Sequence, residues 1–120
     1  MFAWSPNTVM PQEITPPQAS QTLVAATAIV ANAALALITA ASPITSTAAP
    51  TIADGQNGQQ IVLVNVGANA ITLQDQGTLP SSNLRLTATG VAIGPRQSIR
   101  LIFLTAIGDW VQITPLTAVL

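Results

Sequence analysis

Several residue types that most active sites need are missing from this chain of 120 residues. It has no cysteine and no histidine, and it also lacks lysine and tyrosine. Without cysteine there is no disulfide and no thiolate, and without histidine the usual general base and the commonest metal ligand are missing. Serine and threonine are plentiful, but no histidine or lysine is present to activate them. The sequence therefore predicts a protein that is not an enzyme, with no catalytic residue, no metal and no cofactor.

Charge is also scarce, because charged residues make up 6% of the chain against roughly 25% in an ordinary soluble protein. The basic side chains are Arg85, Arg96 and Arg100, and the formal net charge is −1. Three arginines cannot supply the counterion release that strong nucleic-acid binding needs, so no nucleic-acid partner is predicted. A surface so poor in charge is weakly protected against self-association, so we expect much of it to be covered by partner subunits. The alternative is a monomer solvated by its Thr, Ser, Gln and Asn side chains.

The acidic side chains are Glu13, Asp54, Asp75 and Asp109. Paired carboxylates could in principle hydrolyse a glycoside, which leaves a carboxylate glycosidase as a remote alternative. Each Asp, however, is next to or near a glycine in a predicted turn, where Asp commonly binds its own backbone. No Asp-rich loop offers the oxygen cluster that calcium requires. We interpret the Asp residues as structural and expect the arginines to pair with Asp75 or Asp109.

One apolar run, from Leu23 to Ala41, is about long enough to span a bilayer. The run is mostly alanine, and no Lys or Arg precedes Arg85 to orient a membrane helix. The first residues also lack the basic start of a secretory signal. The sequence predicts neither a membrane span nor a signal peptide.

Residues 50–110 alternate short apolar runs with turn-forming residues, which is typical of strands joined by tight turns. The turns fall at Asp54-Gly55, Asn57-Gly58, Gly67-Ala68-Asn69, Gln76-Gly77, Gly94-Pro95 and Gly108-Asp109. In residues 22–49 the alanine content favours helix, but the alternation of larger side chains and the prolines favour strands. The fold class predicted is all-β, a small antiparallel sandwich or barrel. Strands are predicted near residues 23–30, 34–39, 60–65, 70–74, 83–87, 90–93, 98–104 and 110–113.

Two of these strands are apolar on both faces. In residues 61–64 and 101–104 every side chain is apolar, although alternate residues of a strand point to opposite faces. A small sheet has one core to cover, so we expect its second face to meet another subunit. The sequence therefore predicts an oligomer, and we favour a homotrimer.

The chain is predicted to divide into an extended N-terminal arm at residues 1–21, a β domain at 22–114 and a short tail at 115–120. Four prolines deny the arm a helix or an internal strand. Fully extended, its residues would reach about 65–70 Å, far enough to contact a neighbouring protein. The candidate residues for contact with a capsid protein or another subunit are Phe2, Trp4, Val9 and Ile14. The alternative for Phe2 and Trp4 is that they fold back onto their own domain.

The segments PTIADGQNGQQIVLVNVG, ITLQDQGTLPSSNLRL, GPRQSIRLIF and GDWVQI together make up about half of the chain. In order, they resemble a β-rich module of bacteriophage virion proteins, found in head decoration (cement) proteins and in tail fibres. The resemblance implies a virion structural protein on the capsid surface, bridging subunits of the major capsid protein. The alternative that it leaves open is a tail fibre or baseplate component that binds a host surface receptor. It implies no catalytic residue, because its Asp-Gly, Asn-Gly and Gly-Asp-Trp positions matter as turn formers.

Overall fold

A computed structural model describes residues 19–113 and, for the backbone alone, residues 117–118. Strands, turns and loops make up these residues, and no helix occurs among them, which confirms the all-β prediction. The strands are β1 (Gln21–Leu23), β2 (Leu35–Ala40), β3 (Ile44–Thr45), β4 (Gln60–Asn65), β5 (Ile71–Gln74), β6 (Leu84–Arg85), β7 (Gly90–Ile93), β8 (Gln97–Leu104), β9 (Asp109–Gln112) and β10 (Thr117–Ala118).

The strands form two sheets. The larger is a curled half-barrel with the order β1-β2-β4-β8-β9-β6, in which β10 also pairs with β8. The smaller sheet has the order β3-β5-β7. From β3 to β8 the chain alternates between the two sheets at every connection, so these turns join one sheet to the other.

The antiparallel part of the fold prediction is wrong, because both sheets are mixed. The pairs β1–β2, β2–β4, β3–β5 and β6–β9 are parallel, whereas β4–β8, β8–β9, β5–β7 and β10–β8 are antiparallel. Tight turns between short strands favour hairpins, which are antiparallel. Among the described residues only the turn between β8 and β9 makes a hairpin, while the turns from β3 to β8 cross between sheets.

The core lies between the two sheets and is almost entirely aliphatic. Trp110 is fully buried, packs edge-to-face on Phe103 with ring centroids 5.2 Å apart, and donates from Nε1 to the Ala53 carbonyl at 3.1 Å. Edge-to-face packing matches the positive edge of one ring to the negative face of the other. The completely buried aliphatic side chains include Ile38, Ile61, Leu63, Leu84 and Leu101 from the large sheet, and Ile71, Leu73 and Ile93 from the small one.

The predicted strands at 60–65 and 90–93 match β4 and β7 in their bounds, and most of the others shift by one residue. The predicted strand at 23–30 is too long, because β1 ends at Leu23 and only a single bridge from Ile29 to Ile52 follows. The predicted strand at 83–87 shortens to β6 at both ends, and the positive φ of 58° at Asn83 accounts for its later start. Strands β3 and β10 were not predicted, since each has two residues and lies close after a proline.

The apolar run at residues 23–41 belongs to β1, β2 and the turns between them. Within the described part of the chain, no helix is long and apolar enough to cross a membrane.

Candidate interaction surface

The two sheets differ in the side chains that they present to solvent. On the large sheet, β2, β4, β8 and β9 direct mostly apolar side chains away from the core, on the side called here the outer face. The polar residues on this side are Thr39, Gln60, Ser98 and Arg100. Leu35 and Ile113, at 44% and 42% exposure, are its most accessible apolar members. The apolar residues of the outer face are Leu35, Leu37, Val62, Val64, Ile102, Leu104, Val111 and Ile113.

The corresponding face of the small sheet is polar or small. Its strands direct Thr45, Thr72, Gln74 and Ala92 away from the core, while the alternate residues are buried or packed against it. Both sheets cover the same core, so burial of the core does not explain the apolar outer face of the large sheet. The apolar outer face of the large sheet is therefore the candidate interaction surface.

Strand register brings the outer face together from distant parts of the sequence. Leu35 lies beside Val62 on the neighbouring parallel strand, and Val62 lies opposite Arg100 on the antiparallel one. One step along, Ile102 lies opposite Val111. Side chains directly opposite each other in a sheet have Cβ atoms about 4.5–5.5 Å apart, so the residues form one patch.

Charges lie in two places on this surface. Arg100 is exposed within the patch, and no ion pair of Arg100 is found among the described residues. At the β6 end, Arg85 Nε donates to Asp109 Oδ2 at 2.9 Å, and Gln76 Nε2 donates to Asp109 Oδ1 at 2.9 Å. The outer face thus has mostly apolar residues around Gln60, Ser98 and Arg100, and the ion pair of Arg85 with Asp109 lies at its border.

A polar groove of about 720 Å³ lies at another part of the surface, lined by Ala31, Asn32 and residues 54–59. The Asn57-Gly58 turn shapes it, with a positive φ of 82° at Gly58. Gln59 fixes its floor, accepting from the Gln56 N–H at 2.9 Å and donating to the Ala31 carbonyl at 2.9 Å. The side chains around it are neutral amides and the carboxylate of Asp54, which could hydrogen-bond a polar ligand.

The aspartates are held in separate hydrogen-bonded positions. Asp54 accepts from Asn83 Nδ2 at 3.2 Å, whereas Asp75 accepts from the backbone N–H groups of Gly77 and Leu86 at 2.9 and 2.7 Å. The turn-forming role predicted for Asp75 is therefore confirmed. Pairing of an arginine with Asp109 is confirmed as well, through Arg85. No group of three or more His, Cys, Asp or Glu that could hold a metal occurs within the described ranges.

The predicted contact residues Phe2, Trp4, Val9 and Ile14 lie outside the described residues, so their role stays a prediction. Sequence reasoning identified the double-sided apolar strands at 61–64 and 101–104, and the burial pattern of β4 and β8 confirms their alternation. It missed the contributions of Leu35, Leu37 and Ile113 to the same face. The alternation of leucines in residues 35–37 was a signal for a strand, but not for the sheet that this strand joins.

Comparison with family models, curated proteins and solved structures finds no match for this chain.

Proposed function

We propose that this protein is a virion structural protein, a homotrimeric head decoration (cement) protein that stabilises a capsid by bridging subunits of the major capsid protein. The observation that carries the proposal is the apolar outer face of the large sheet. The sequence resemblance to the phage module supplies the virion setting, and the low charge of the chain fits a protein whose surface is largely covered.

The outer face suits a contact repeated in many copies. Fully burying a Val, Leu or Ile side chain contributes about 1.5–3 kcal/mol, but most side chains of this face are already partly covered within one chain. A single contact is therefore modest. On a shell with many equivalent sites, subunits that are linked to one another bind at several points at once, and their affinities multiply.

Two contacts follow from this organisation. The outer face meets another copy of the chain, and the arm at residues 1–21 reaches a neighbouring capsid protein through side chains such as Phe2 and Trp4. Separate surfaces for self-association and for attachment allow one subunit to tie two capsid proteins together.

The role of the outer face is tested by a charge placed at its centre. Ile102→Lys, in the middle of β8, is expected to reduce the mass of the assembly measured by sedimentation equilibrium to that of a monomer. Thr72→Lys, at a half-buried position on the opposite sheet, is the matched control and should leave the mass unchanged. A wild-type monomer at low micromolar concentration would contradict obligate trimerisation.

Attachment is tested by deleting residues 2–17 and sedimenting full-length and truncated protein with undecorated phage shells. We expect the truncated protein to bind much more weakly while its thermal unfolding shows a folded domain. Equal binding of both proteins would remove the arm from the mechanism. Loss of folding would instead mean that these residues complete the core of their own domain.

The second candidate is a tail fibre or baseplate component, and the polar groove is the observation that favours it. Asn32, Gln56 and Asn57 could hydrogen-bond the hydroxyl groups of a host sugar. Sugar sites usually also present an aromatic ring for stacking. Trp110 and Phe103 are both buried in the core, so the groove has no such ring from either residue. Imaging of virions with this protein labelled separates the candidates, since cement protein lies on the head and fibre protein on the tail.

A further inference from the structure

We infer that the unpaired edge of β7 is a second self-association site, at which β7 of one copy pairs antiparallel with β7 of another copy about a twofold axis. The contact uses the small sheet and not the outer face of the large sheet, so it goes beyond the self-association proposed above. Three observations carry it: the backbone groups left unpaired along this edge, the small side chains beside them, and the absence of charge around them.

The backbone of β5 shows which residues of β7 face their neighbour in the sheet. Strand β5 lies between β3 and β7. The Thr72 carbonyl accepts a hydrogen bond from the β3 side at 2.9 Å. Successive residues of a strand direct their backbone groups to opposite sides, so Ile71 and Leu73 bond toward β7. The register places them opposite Ile93 and Val91, which therefore bond toward β5.

The outward backbone groups of β7 are consequently those of Gly90 and Ala92. Within residues 19–113, no hydrogen bond to their outward N–H and C=O groups is found. Both residues are exposed, and so are residues 87–89 beside them. A row of unpaired backbone groups at a sheet edge is a site where another strand can add by main-chain hydrogen bonds.

Among the described strands, β7 is also the edge least protected against such pairing. It has four residues, whereas each of the other edge strands has two or three. Natural proteins block exposed edges with very short strands, with charged side chains or with proline. The run from Leu86 to Gly94 contains no charged residue and no proline. Nothing in this run therefore prevents the edge from pairing.

The edge is complementary to itself, which identifies the occupant as a second copy. If Gly90 of one copy lies opposite Ala92 of the other, the symmetric pair forms as well, and each pair exchanges two main-chain hydrogen bonds. The twofold axis then passes beside Val91. The side chain opposite each glycine is only a methyl group, so the strands can approach closely. A twofold contact sets each residue near its own copy, so it requires an edge without charge, as this one is.

The pairing would make one continuous sheet across two copies, in the order β3-β5-β7-β7-β5-β3. A few main-chain hydrogen bonds give a weak contact in water, because each replaces a bond to solvent. The contact becomes effective where copies are already held close together, as on a shell to which each copy is attached at another surface. With the outer face of the large sheet, each copy would have two different contacts with other copies.

The absence of native cysteine allows a test with a single substitution. Val91→Cys places its sulfur at the twofold axis, where facing Cα atoms lie about 4.5 Å apart, within the range for a disulfide. Thr89→Cys is the matched control, because its two copies would lie on the order of 13 Å apart along the strands. Thr89 is exposed and Val91 is 9% exposed, so random collision favours the control. Each full chain is shown to be folded by thermal unfolding and is then oxidised with diamide.

We expect Val91→Cys to form covalent dimers with a yield several-fold above that of Thr89→Cys. Equal yields, or a higher yield from Thr89→Cys, would overturn the inference. An absence of dimers from both variants would overturn it too, whether the edge is bare or covered by another segment or protein. The same excess is expected in an Ile102→Lys background, and its loss there would refute a separate site. The proposed trimer is judged by the mass of the wild type, so the two proposals can fail independently.

A second test needs no cysteine. Ala92→Pro removes an outward N–H and leaves the bonds between β7 and β5 in place, and proline is tolerated at such an edge position. Ala92→Val is the matched control, because it enlarges the side chain and keeps the N–H. In the Ile102→Lys background at high protein concentration, sedimentation equilibrium should show dimers for Ala92→Val and monomers for Ala92→Pro. Equal masses for the two variants would overturn the inference, even if Val91→Cys does not fold.

Discussion

Replacing Asn83 by glycine is expected to destabilise the domain much more than replacing Gln21 by glycine, although both amides make the same pair of backbone contacts. Asn83 accepts from the Ile52 N–H at 3.3 Å and donates to the Ile52 carbonyl at 2.7 Å. Gln21 accepts from the Val30 N–H at 2.8 Å and donates to the Val30 carbonyl at 3.0 Å. Each side chain thus hydrogen-bonds both backbone groups of one residue, as a neighbouring strand would.

The difference between the two sites is burial. Ile52 is completely buried, whereas Val30 is 50% exposed. When Gln21 is removed, water can bind the Val30 backbone groups, so the loss should be about 1 kcal/mol, mostly the cost of glycine in a strand. When Asn83 is removed, two buried backbone groups lose their partners at about 1–3 kcal/mol each, which gives about 2–6 kcal/mol. The Thr51 N–H keeps its bond to the Ser82 carbonyl at 2.8 Å and adds little.

Glycine is the right replacement at position 83, because Asn83 has a φ of 58°. Alanine would add about 1–2 kcal/mol of left-handed backbone strain to the loss of hydrogen bonds. The measurement is urea unfolding of the wild type and both variants, with equal slopes required before free energies are compared. Equal losses at the two positions would refute the reasoning, because they would mean that water reaches Ile52 or that burial does not set the cost.

Two further predictions concern packing and metals. Gly55→Ala should lower the free energy of unfolding by about 1–3 kcal/mol and change the tryptophan fluorescence, because the new Cβ would lie 2.8 Å from Trp110 Cζ2. Gly90→Ala is the control, because the nearest atom to its new Cβ would be 3.5 Å away. A Gly55→Ala variant with unchanged stability and fluorescence would contradict the packing. Thermal unfolding with and without a chelator should give the same midpoint, since the chain has no His or Cys, and a clear drop with chelator would refute the prediction that no metal is needed.

The positions of the strands could be predicted because their signals are local. Asn57-Gly58 lies just before β4, and Gly94-Pro95 separates β7 from β8, so the bounds of β4 and β7 match the prediction. The pairing of the strands could not be predicted in the same way. A tight turn is compatible with a hairpin and with a crossing to a facing sheet, and the choice depends on which apolar faces meet in the core.

The candidate surface was predictable only in part, for the same reason. Alternation shows that β4 and β8 have two apolar faces. It does not show that Leu35 lies beside Val62, because their parallel pairing joins residues 27 positions apart. The sequence also does not show that Asp109 pairs with Arg85 and not with another arginine.

In this fold, which has few charged side chains, neutral amide side chains make hydrogen bonds to buried backbone groups. Asn65 is fully buried and donates to the carbonyls of Asn69 and Ile93 at 2.8 Å each, while accepting from the Gly67 N–H at 3.0 Å. An amide offers donors and an acceptor together without the cost of burying a charge. Neutral amides therefore satisfy several buried backbone groups, while the Asp75 carboxylate satisfies the N–H groups of Gly77 and Leu86.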